Sequence, residues 1–409
     1  MSYNNRPVIL LINHSDTRGG ASVVSMRLMH ALCRNGVDAR MLVVHKDTDD
    51  LRVDVCAGKN AVRAAFLAEE ARLYAADGFS RRNIFRLSTG LYGVDLLKHP
   101  WVAEADAFVL NWVNQGMMSL DAVRRLCALG KPVAWTMHDM WNLTSLCHHA
   151  GTCTQYAERC ADCPMIKSKG LARKVFSNKE RLYDSTHIHF VPVSNWLADK
   201  CRQSTLLSRA DITVIPNAFP VEDFGISPTL TRAQLHLPAD GDLVMMGAAR
   251  LDDPVKNLPL AVEALNTLAG RTARPFTAVF YGALRDAQAL SALRIPHLWL
   301  GPVDSRKLPQ LYAHASAVLS TSHYETLPGT LVEGMAAGAT PVACGEGGQP
   351  DIIDNGVNGY LTGSDATAVA EALTAALDHP FDRTAQHNAV SRKFDRNIIA
   401  KKYLNLLNI

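Results

Sequence analysis

Two glutamates in the C-terminal half have the setting of a site for a phosphorylated, hydroxyl-rich ligand. Glu325 lies in a polar loop after the apolar run 317–320, and Glu333 lies eight residues later on the helix that this loop opens. The start of a helix offers amide groups and a partial positive charge, here at Thr330 and Leu331, which suits a diphosphate. Carboxylates beside that point can accept hydrogen bonds from sugar and ribose hydroxyls.

Two cations lie on one predicted strand-to-helix turn. Arg250 follows the apolar run 243–248, and Lys256 stands six residues later where a helical pattern begins. Together they could neutralise a pyrophosphate leaving group, because fixed positive charge stabilises the negative charge that grows as the bond breaks. From these residues alone, a pair of solvated surface charges is the alternative interpretation.

Four of the nine cysteines are concentrated in one short segment, at Cys147, Cys153, Cys160 and Cys163. The last two form a C-x-x-C pair, and thiolates at this spacing suit tetrahedral zinc. The full spacing is not that of a common zinc finger, so reduced thiols without metal are the alternative. The other five cysteines are scattered singly among apolar neighbours and have the pattern of small core residues.

The composition excludes several classes of protein. Hydrophobic residues at 48% and charged residues at 20% are typical of a globular chain, and the formal net charge of +3 argues against a basic nucleic-acid binder. No uninterrupted apolar run approaches the roughly 18 residues that a membrane-spanning helix needs. The first residues lack a basic segment and a cleavage site, so we expect a cytoplasmic protein without a signal peptide.

Strand and helix patterns alternate along the chain in two series. The first begins with a strand, a glycine-bearing loop, a helix and a second strand within residues 8–44, and the second begins at 243. This alternation predicts two doubly wound parallel α/β domains. We expect an N-terminal domain over 1–200, a second domain over 201–382, and a helical segment over 383–409 that packs back on the first. Ligands of such sheets bind at the carboxyl ends of the strands, which predicts a site in the interdomain cleft.

Several motifs together carry a resemblance to one family. In chain order they are the glycines Gly19 and Gly20, His138-Asp139 after a strand, the linker Pro216-Asn217, Arg250 with Lys256, the segment 300–303, the pair Glu325 and Glu333, the glycine-rich segment 345–348, and the segment 358–361. Their order and spacing resemble the retaining glycosyltransferases of family 4. That resemblance covers most of the chain and implies the GT-B fold of two Rossmann-like domains.

The resemblance implies roles for the C-terminal residues. Arg250 and Lys256 would hold the donor diphosphate. Glu333 would bind the ribose, and Glu325 would bind the hydroxyls of the donor sugar.

It also implies roles for the N-terminal residues. Gly19 and Gly20 would let the backbone approach the phosphate or the transferred sugar, because they lack side chains. His138 would touch the donor sugar or the acceptor near the reacting carbon, although a histidine after an apolar strand can also be purely structural. Asp139 would orient that histidine or cap a helix.

Two positions depart from the family pattern. Pro328 replaces the glycine that is usual three residues after the first glutamate, and Asn257 follows Lys256 where glycine is frequent. We expect both changes to reshape a loop. Neither removes a charged group.

The implied activity is transfer of a sugar from a nucleotide diphosphate-sugar to a hydroxyl of a saccharide or lipid-linked glycan, with retention of configuration. We expect this chemistry to need no cofactor, and a zinc bound by the clustered cysteines would be structural. Enzymes with this resemblance are thought to use front-face attack, in which the leaving phosphate helps to deprotonate the acceptor. The alternatives are a sugar-nucleotide isomerase (epimerase) on the same fold and a catalytically silent saccharide-binding or scaffold protein.

A basic segment with apolar residues lies between Lys59 and Lys98. Such a surface can rest on anionic lipid, where a lipid-linked acceptor would be found. A solvated helix face beside the acceptor site is the alternative that we favour from the sequence.

Overall fold

The chain divides into two compact units in a computed structural model that describes residues 6–345 and 347–409. The first unit runs to Ala218 and takes in Ile399–Ile409, and the second is Phe219–Ile398. Each unit is built on a six-stranded parallel sheet. In the described part of the chain, no helix is both long and apolar enough to cross a membrane.

The first sheet is formed by apolar strands that are buried on both faces. Its strands are β1 Val8–Ile12, β2 Asp38–Val43, β3 Val53–Val55, β4 Ala107–Leu110, β5 Val133–Met137 and β6 His189–Pro192. They lie in the order β3-β2-β1-β4-β5-β6, so the chain leaves β1 in opposite directions to β2 and β4. In an open sheet of this kind the strand ends at that switch point form a natural binding crevice.

The helices of the first unit are α1 Gly20–Arg34, α2 Lys59–Ala76, α3 Pro100–Glu104, α4 Leu120–Cys127, α5 Lys169–Asp184 and α6 Asn195–Gln203, with short 3-10 turns at Leu96–Lys98, Trp141–Leu143 and Gln155–Glu158. Serine side chains cap three of them. After β6, for example, Ser194 Oγ accepts from the Leu197 amide at 3.2 Å. The basic segment between Lys59 and Lys98 is helical only as far as Ala76. It then continues as a loop to the 3-10 turn at Leu96–Lys98.

The second sheet repeats the pattern. Its strands are β7 Asp242–Arg250, β8 Phe276–Ala283, β9 His297–Trp299, β10 Ala317–Ser320, β11 Thr340–Cys344 and β12 Tyr360–Thr362, in the order β12-β11-β10-β7-β8-β9. Its helices are α7 Leu258–Ala269, α8 Leu308–Ala313, α9 Gly329–Ala336, α10 Ala366–Asp378 and α11 Arg383–Phe394, and α12 Arg396–Leu407 ends the chain. Further 3-10 turns lie at Val221–Asp223, Ala233–Leu235, Pro254–Lys256, Ala287–Leu290 and Gln349–Asp351.

The unit boundaries differ from those predicted. The first unit extends to Ala218 rather than to residue 200, because Ile215 and Ala218 are buried in the core on one face of the first sheet. Residues 213–215 do not form a strand of their own. The C-terminal segment is two helices, and only its residues from Ile399 onward belong to the first unit, where the Tyr403 hydroxyl meets Thr136 Oγ1 at 2.8 Å.

Candidate functional site

An ion pair lies at the carboxyl edge of the second sheet. The ammonium group of Lys256 contacts Oε1 of Glu325, and the Ser322 hydroxyl donates to the same oxygen at 3.0 Å. The side chains of Lys256 and Glu325 keep 28% and 20% of their surface exposed, so both remain reachable from solvent. The structure therefore joins a predicted phosphate-binding cation to a predicted sugar-binding carboxylate.

This pair is positioned by hydrogen bonds between the turn after β7 and the loop after β10. Thr321 Oγ1 donates to the carbonyl oxygens of Lys256 at 3.0 Å and of Asn257 at 3.1 Å, and the His323 amide donates to the Val255 carbonyl at 2.8 Å. Asn257 has φ 51°, a left-handed conformation that asparagine tolerates better than most residues. Asn257 thus adopts a left-handed conformation of the kind that glycine adopts readily.

A third loop, after β11, holds Glu325 from its backbone side. The Gly348 amide donates to the Glu325 carbonyl at 2.8 Å. Gly347 has φ 85°, and a Cβ on it would lie 2.0 Å from the same carbonyl oxygen. Only glycine fits this close approach. Glu346 belongs to the glycine-rich segment 345–348, which resembles the family pattern, and it lies outside the described residues.

Helix α9 begins directly after the loop that follows β10, and it carries Glu333, which is 7% exposed. The helix packs tightly on β10, since a Cβ on Gly334 would lie 2.6 Å from a methyl carbon of Val318. No side chain caps its N-terminus, and Pro328 occupies the N-cap at φ −73°, an angle that suits proline. The Leu331 amide, predicted to face a diphosphate, donates to the Pro328 carbonyl at 3.2 Å.

Arg250 ends β7 on the same turn as Lys256, but it has different partners. Its guanidinium group lies 3.3 Å from Asp252 and 3.2 Å from Asp253. About a third of the Arg250 side chain is exposed. The two predicted cations are therefore both ion-paired, and they do not share a carboxylate.

His138 follows β5 in the first unit, as predicted, and its partner comes from the neighbouring strand. Nε2 of His138 lies 3.1 Å from Oδ1 of Asn111, which follows β4. Burial lowers the pKa of His138 to about 4, against the opposing charge of Asp139. The imidazole is therefore neutral at pH 7.

Asp139 does not orient His138. Its Oδ2 lies 2.7 Å from Nδ1 of His148 and accepts from the indole of Trp112 at 2.9 Å, while Oδ1 accepts from the Trp141 amide at 2.8 Å. The bond to the Trp141 amide lies at the first residue of the 3-10 turn Trp141–Leu143, whose N-cap is Met140, so Asp139 is not the N-cap residue of a helix. Burial alone would raise the pKa of Asp139, but His148 holds that pKa well below its usual range. The far nitrogen of His148 lies 3.0 Å from the Ser88 hydroxyl.

Polar residues at the ends of β1 and β4 also meet, and the sequence analysis did not single them out. The Trp112 amide donates to Oδ1 of Asn13 at 3.0 Å, and the rings of His14 and Trp112 pack edge to face with centroids 5.3 Å apart. Burial, with His45 and Arg18 nearby, lowers the pKa of His14 to about 4. Their position after apolar strands at the switch point was the signal that could have revealed them.

Gly19 and Gly20 begin helix α1 after β1. Gly19 is the N-cap at φ 86°, which favours glycine, and a Cβ at either position would meet no atom within 4 Å. The space over both residues is open, as access for a ligand requires. At position 20 the backbone does not have a positive φ, so its conformation does not require glycine.

The four clustered cysteines line one small pocket in the first unit together with Tyr156 and Met165. All four are free thiols, and Cys147, Cys160 and Cys163 are buried. Within the described residues, no three histidine, cysteine or acidic side chains are arranged as a ready-made metal site. The structure thus brings the predicted ligands together but not to coordination geometry.

Two Rossmann-like units, each with polar residues at the carboxyl ends of its strands, define the GT-B class of fold. Sucrose-phosphate synthase from Thermosynechococcus elongatus is similar in structure, with a TM-score of 0.65 at 17% identity over 98% of each chain. HepE from Anabaena has a TM-score of 0.63 at 19% identity, over 98% of this chain and 99% of that one. At these identities the likeness establishes the fold.

The family model matches a segment that lies within the second unit. Residues 241–379, which contain Lys256, Glu325 and Glu333, match the family model described as glycosyl transferases group 1. A D-inositol 3-phosphate glycosyltransferase from Xylanimonas cellulosilytica is 31% identical over 190 residues, which is 43% of this chain and 44% of that protein. The match thus spans less than half the length of either chain. Residues 241–379 are therefore similar to the group 1 glycosyltransferases, and the fold of the chain is that of the GT-B class.

Proposed function

We propose that this protein is a retaining glycosyltransferase of family 4 that moves a hexose from a nucleotide diphosphate-sugar to a hydroxyl group of a saccharide or lipid-linked glycan. The observation that carries the proposal is the contact between Lys256 and Glu325 beside the uncapped start of α9. A cation, a carboxylate and a helix N-terminus at one sheet edge suit a ligand that joins a diphosphate to a sugar. Residues 241–379, which match the group 1 family model, include all three.

The donor would bind across the second unit. Lys256 and Arg250 would take the diphosphate in place of their present carboxylate partners, with the amides of Gly329 and Thr330 contributing from the helix start. Glu333 would accept from the ribose, and Glu325, released from Lys256, would accept from the sugar hydroxyls. The structures of Anabaena HepE include complexes with UDP, with UDP-glucose, and with UDP and glucose, which supports a nucleotide-sugar donor here.

The reaction we propose is a front-face displacement. The bond from the anomeric carbon to the phosphate oxygen breaks, a bond to the acceptor oxygen forms on the same face, and the acceptor proton passes to the departing phosphate. Arg250 and Lys256 would stabilise the negative charge that develops on that phosphate. His138, neutral at pH 7 with a pKa near 4, would bind a hydroxyl near the reacting carbon without adding positive charge.

The acceptor would belong to a polysaccharide or lipid-linked glycan. WaaG, which is similar in fold with a TM-score of 0.63 at 13% identity, is a glycosyltransferase involved in lipopolysaccharide biosynthesis. The loop after α2 in this chain exposes Phe79 and Phe85, at 71% and 66%, between the exposed arginines Arg81, Arg82 and Arg86. Phe79 also has φ 63°, an unusual conformation for a bulky residue. Exposed aromatic rings among cations suit the surface of an anionic membrane.

The decisive experiment incubates the purified full chain with a panel of nucleotide sugars. A true donor should raise the melting temperature by mass action, and adding acceptor should release nucleoside diphosphate far faster than hydrolysis alone. The anomeric configuration of the product, read by NMR, tests retention. An isomerase would instead convert the nucleotide sugar with no acceptor present, and a silent binding protein would release no nucleotide.

A further inference from the structure

The cysteine pocket in the first unit brings together four side chains from the segment 147–163. Cys147 follows the 3-10 turn at Trp141–Leu143, and Cys153, Cys160 and Cys163 come from the irregular segment before α5. The space between them is about what a single water molecule needs, which is also the scale of one metal ion. No disulfide uses any of these thiols in the described chain.

Cys160 and Cys163 line this space beside a sharp turn of the backbone. Arg159 and Cys160 have φ 64° and 49°, two successive left-handed residues that turn the chain sharply, and the Cys160 amide donates to the Gln155 carbonyl at 2.7 Å. The Ser145 amide lies 3.4 Å from Sγ of Cys160. An amide donor to sulfur is a second-sphere contact that stabilises thiolate ligands of metals.

A buried cation beside the pocket lacks a carboxylate partner in the described residues. Lys179 is 0% exposed, and its ammonium group donates to the carbonyl oxygens of Trp141 and Thr144 and lies 3.5 Å from the centre of the Trp141 ring. Negative charge on Cys160 or Cys147 would act on it favourably, as would negative charge on Asp139 and Glu69. A fully buried ammonium needs nearby negative charge, since burial of an uncompensated ion is costly.

We propose that Cys147, Cys153, Cys160 and Cys163 bind one Zn²⁺ as four thiolates. Such a centre carries a net charge of −2, and Lys179 would compensate half of it. Because no ready-made arrangement is present, binding would rotate the cysteine side chains about Cα–Cβ and release one proton from each thiol, as metal binding to cysteine requires. Zinc with four sulfur ligands has no open position, so the role is structural.

The centre would fix the segment that follows His138 and Asp139 in the first unit. Cys147 precedes His148, which pairs with Asp139 directly after His138. Lys179 ties α5 to the same segment through Trp141 and Thr144. The inference does not depend on the proposed glycosyl transfer, because zinc content is measured without substrate.

The test measures zinc in the full-length protein, purified without chelator, by elemental analysis. We expect about one zinc per chain in the wild type and in Cys33→Ser, a half-buried cysteine elsewhere in the same unit. Cys153→Ser with Cys160→Ser should lower the zinc content at least tenfold. Zinc retained by the double variant, or wild-type protein that neither contains nor takes up zinc, overturns the proposal.

A second measurement uses only wild-type protein, so it tests the proposal even if the cysteine variants fail to fold. Wild-type protein loaded with Co²⁺ should show the intense sulfur-to-cobalt charge-transfer bands of a tetrahedral thiolate site. Their absence contradicts the proposal. Thiol titration of the denatured, unreduced protein should count nine thiols once the metal is chelated, and a disulfide within the pocket would also contradict it.

Discussion

The ammonium group of Lys256 contacts the carboxylate of Glu325, and this contact joins the turn after β7 to the loop after β10. The strands are neighbours in the sheet although 69 residues separate the two side chains. In the ligand-free protein each group therefore neutralises the other. A diphosphate-sugar would offer Lys256 a phosphate and Glu325 a hydroxyl, so that neither loses a partner on binding.

Lys256→Ala should lower kcat/KM by about 10²- to 10³-fold, because it removes a cation that stabilises charge in the transition state. Glu325→Ala should lower it by a similar factor, and the double variant should fall short of the product of the two, since the residues are in contact. Steady-state kinetics check this, with Lys307→Ala, an exposed lysine of the same unit, as the control. If the free-energy losses of the two single variants add fully in the double variant, Lys256 and Glu325 do not share a role.

His138→Ala should lower kcat by at least about 10²-fold without unfolding the protein, because the imidazole is proposed to bind a hydroxyl at the reacting carbon. Asn111→Ala, which removes the contact to Nε2, should lower kcat less. Kinetics with circular dichroism measure both effects, and His187→Ala at an exposed site is the matched control. Wild-type turnover in His138→Ala removes this residue from the site.

Stability should fall as pH drops from 6.5 to 4. His14 and His138 each have a pKa near 4 in the folded protein and 6.5 as the ordinary value, so the unfolded chain binds more protons in this window. Each can change the free energy of unfolding by up to about 1.4 kcal/mol per pH unit there, and neither adds to the loss below pH 4. Denaturant unfolding at several pH values tests this. His14→Asn with His138→Asn should have the flatter profile, and an equal slope would refute the assignment.

Gly347→Ala should impair the site more than an ordinary loop substitution. The new Cβ would need to push away the Glu325 carbonyl, in addition to the roughly 1–2 kcal/mol cost of a left-handed non-glycine residue. Gly356→Ala is the control, because Gly356 has φ 74° but a Cβ there would meet nothing within 4 Å. We expect a lower melting temperature and lower kcat/KM for Gly347→Ala than for Gly356→Ala. Equal effects would show that the close approach is unimportant.

The loop after α2 should bind anionic membrane. The full chain should float with phosphatidylserine vesicles at low salt, less so at high salt, since salt screens the contribution of about 1 kcal/mol from each arginine. Phe79→Ser with Phe85→Ser should weaken flotation, whereas Leu51→Ser, at a leucine that is 91% exposed, should not. Protein that stays in solution at low salt disproves the contact.

Local pattern was sufficient to predict much of the fold. Strand and helix periodicity identified most strands of both sheets and placed His138, Arg250 and Glu325 at strand ends, as observed. The edge strands β3 and β12 were not predicted, because a three-residue strand has little periodicity to detect. Helix α10 was not predicted either. The end of the first unit at Ala218 was also not predicted, because membership of a core depends on contacts between residues that are distant in the chain.

The sequence by itself determined which residues stand at the carboxyl ends of parallel strands, because that follows from short-range alternation of apolar and polar segments. Tertiary structure alone decided which of the polar and sulfur-containing side chains of the chain come into contact or share a pocket. Asp139 pairs with His148 and leaves His138 to Asn111, Lys256 pairs with Glu325, and four cysteines share one pocket. The physical reason is that these contacts depend on strand order and side-chain rotamers, which place residues far apart in the chain within a few ångströms of each other.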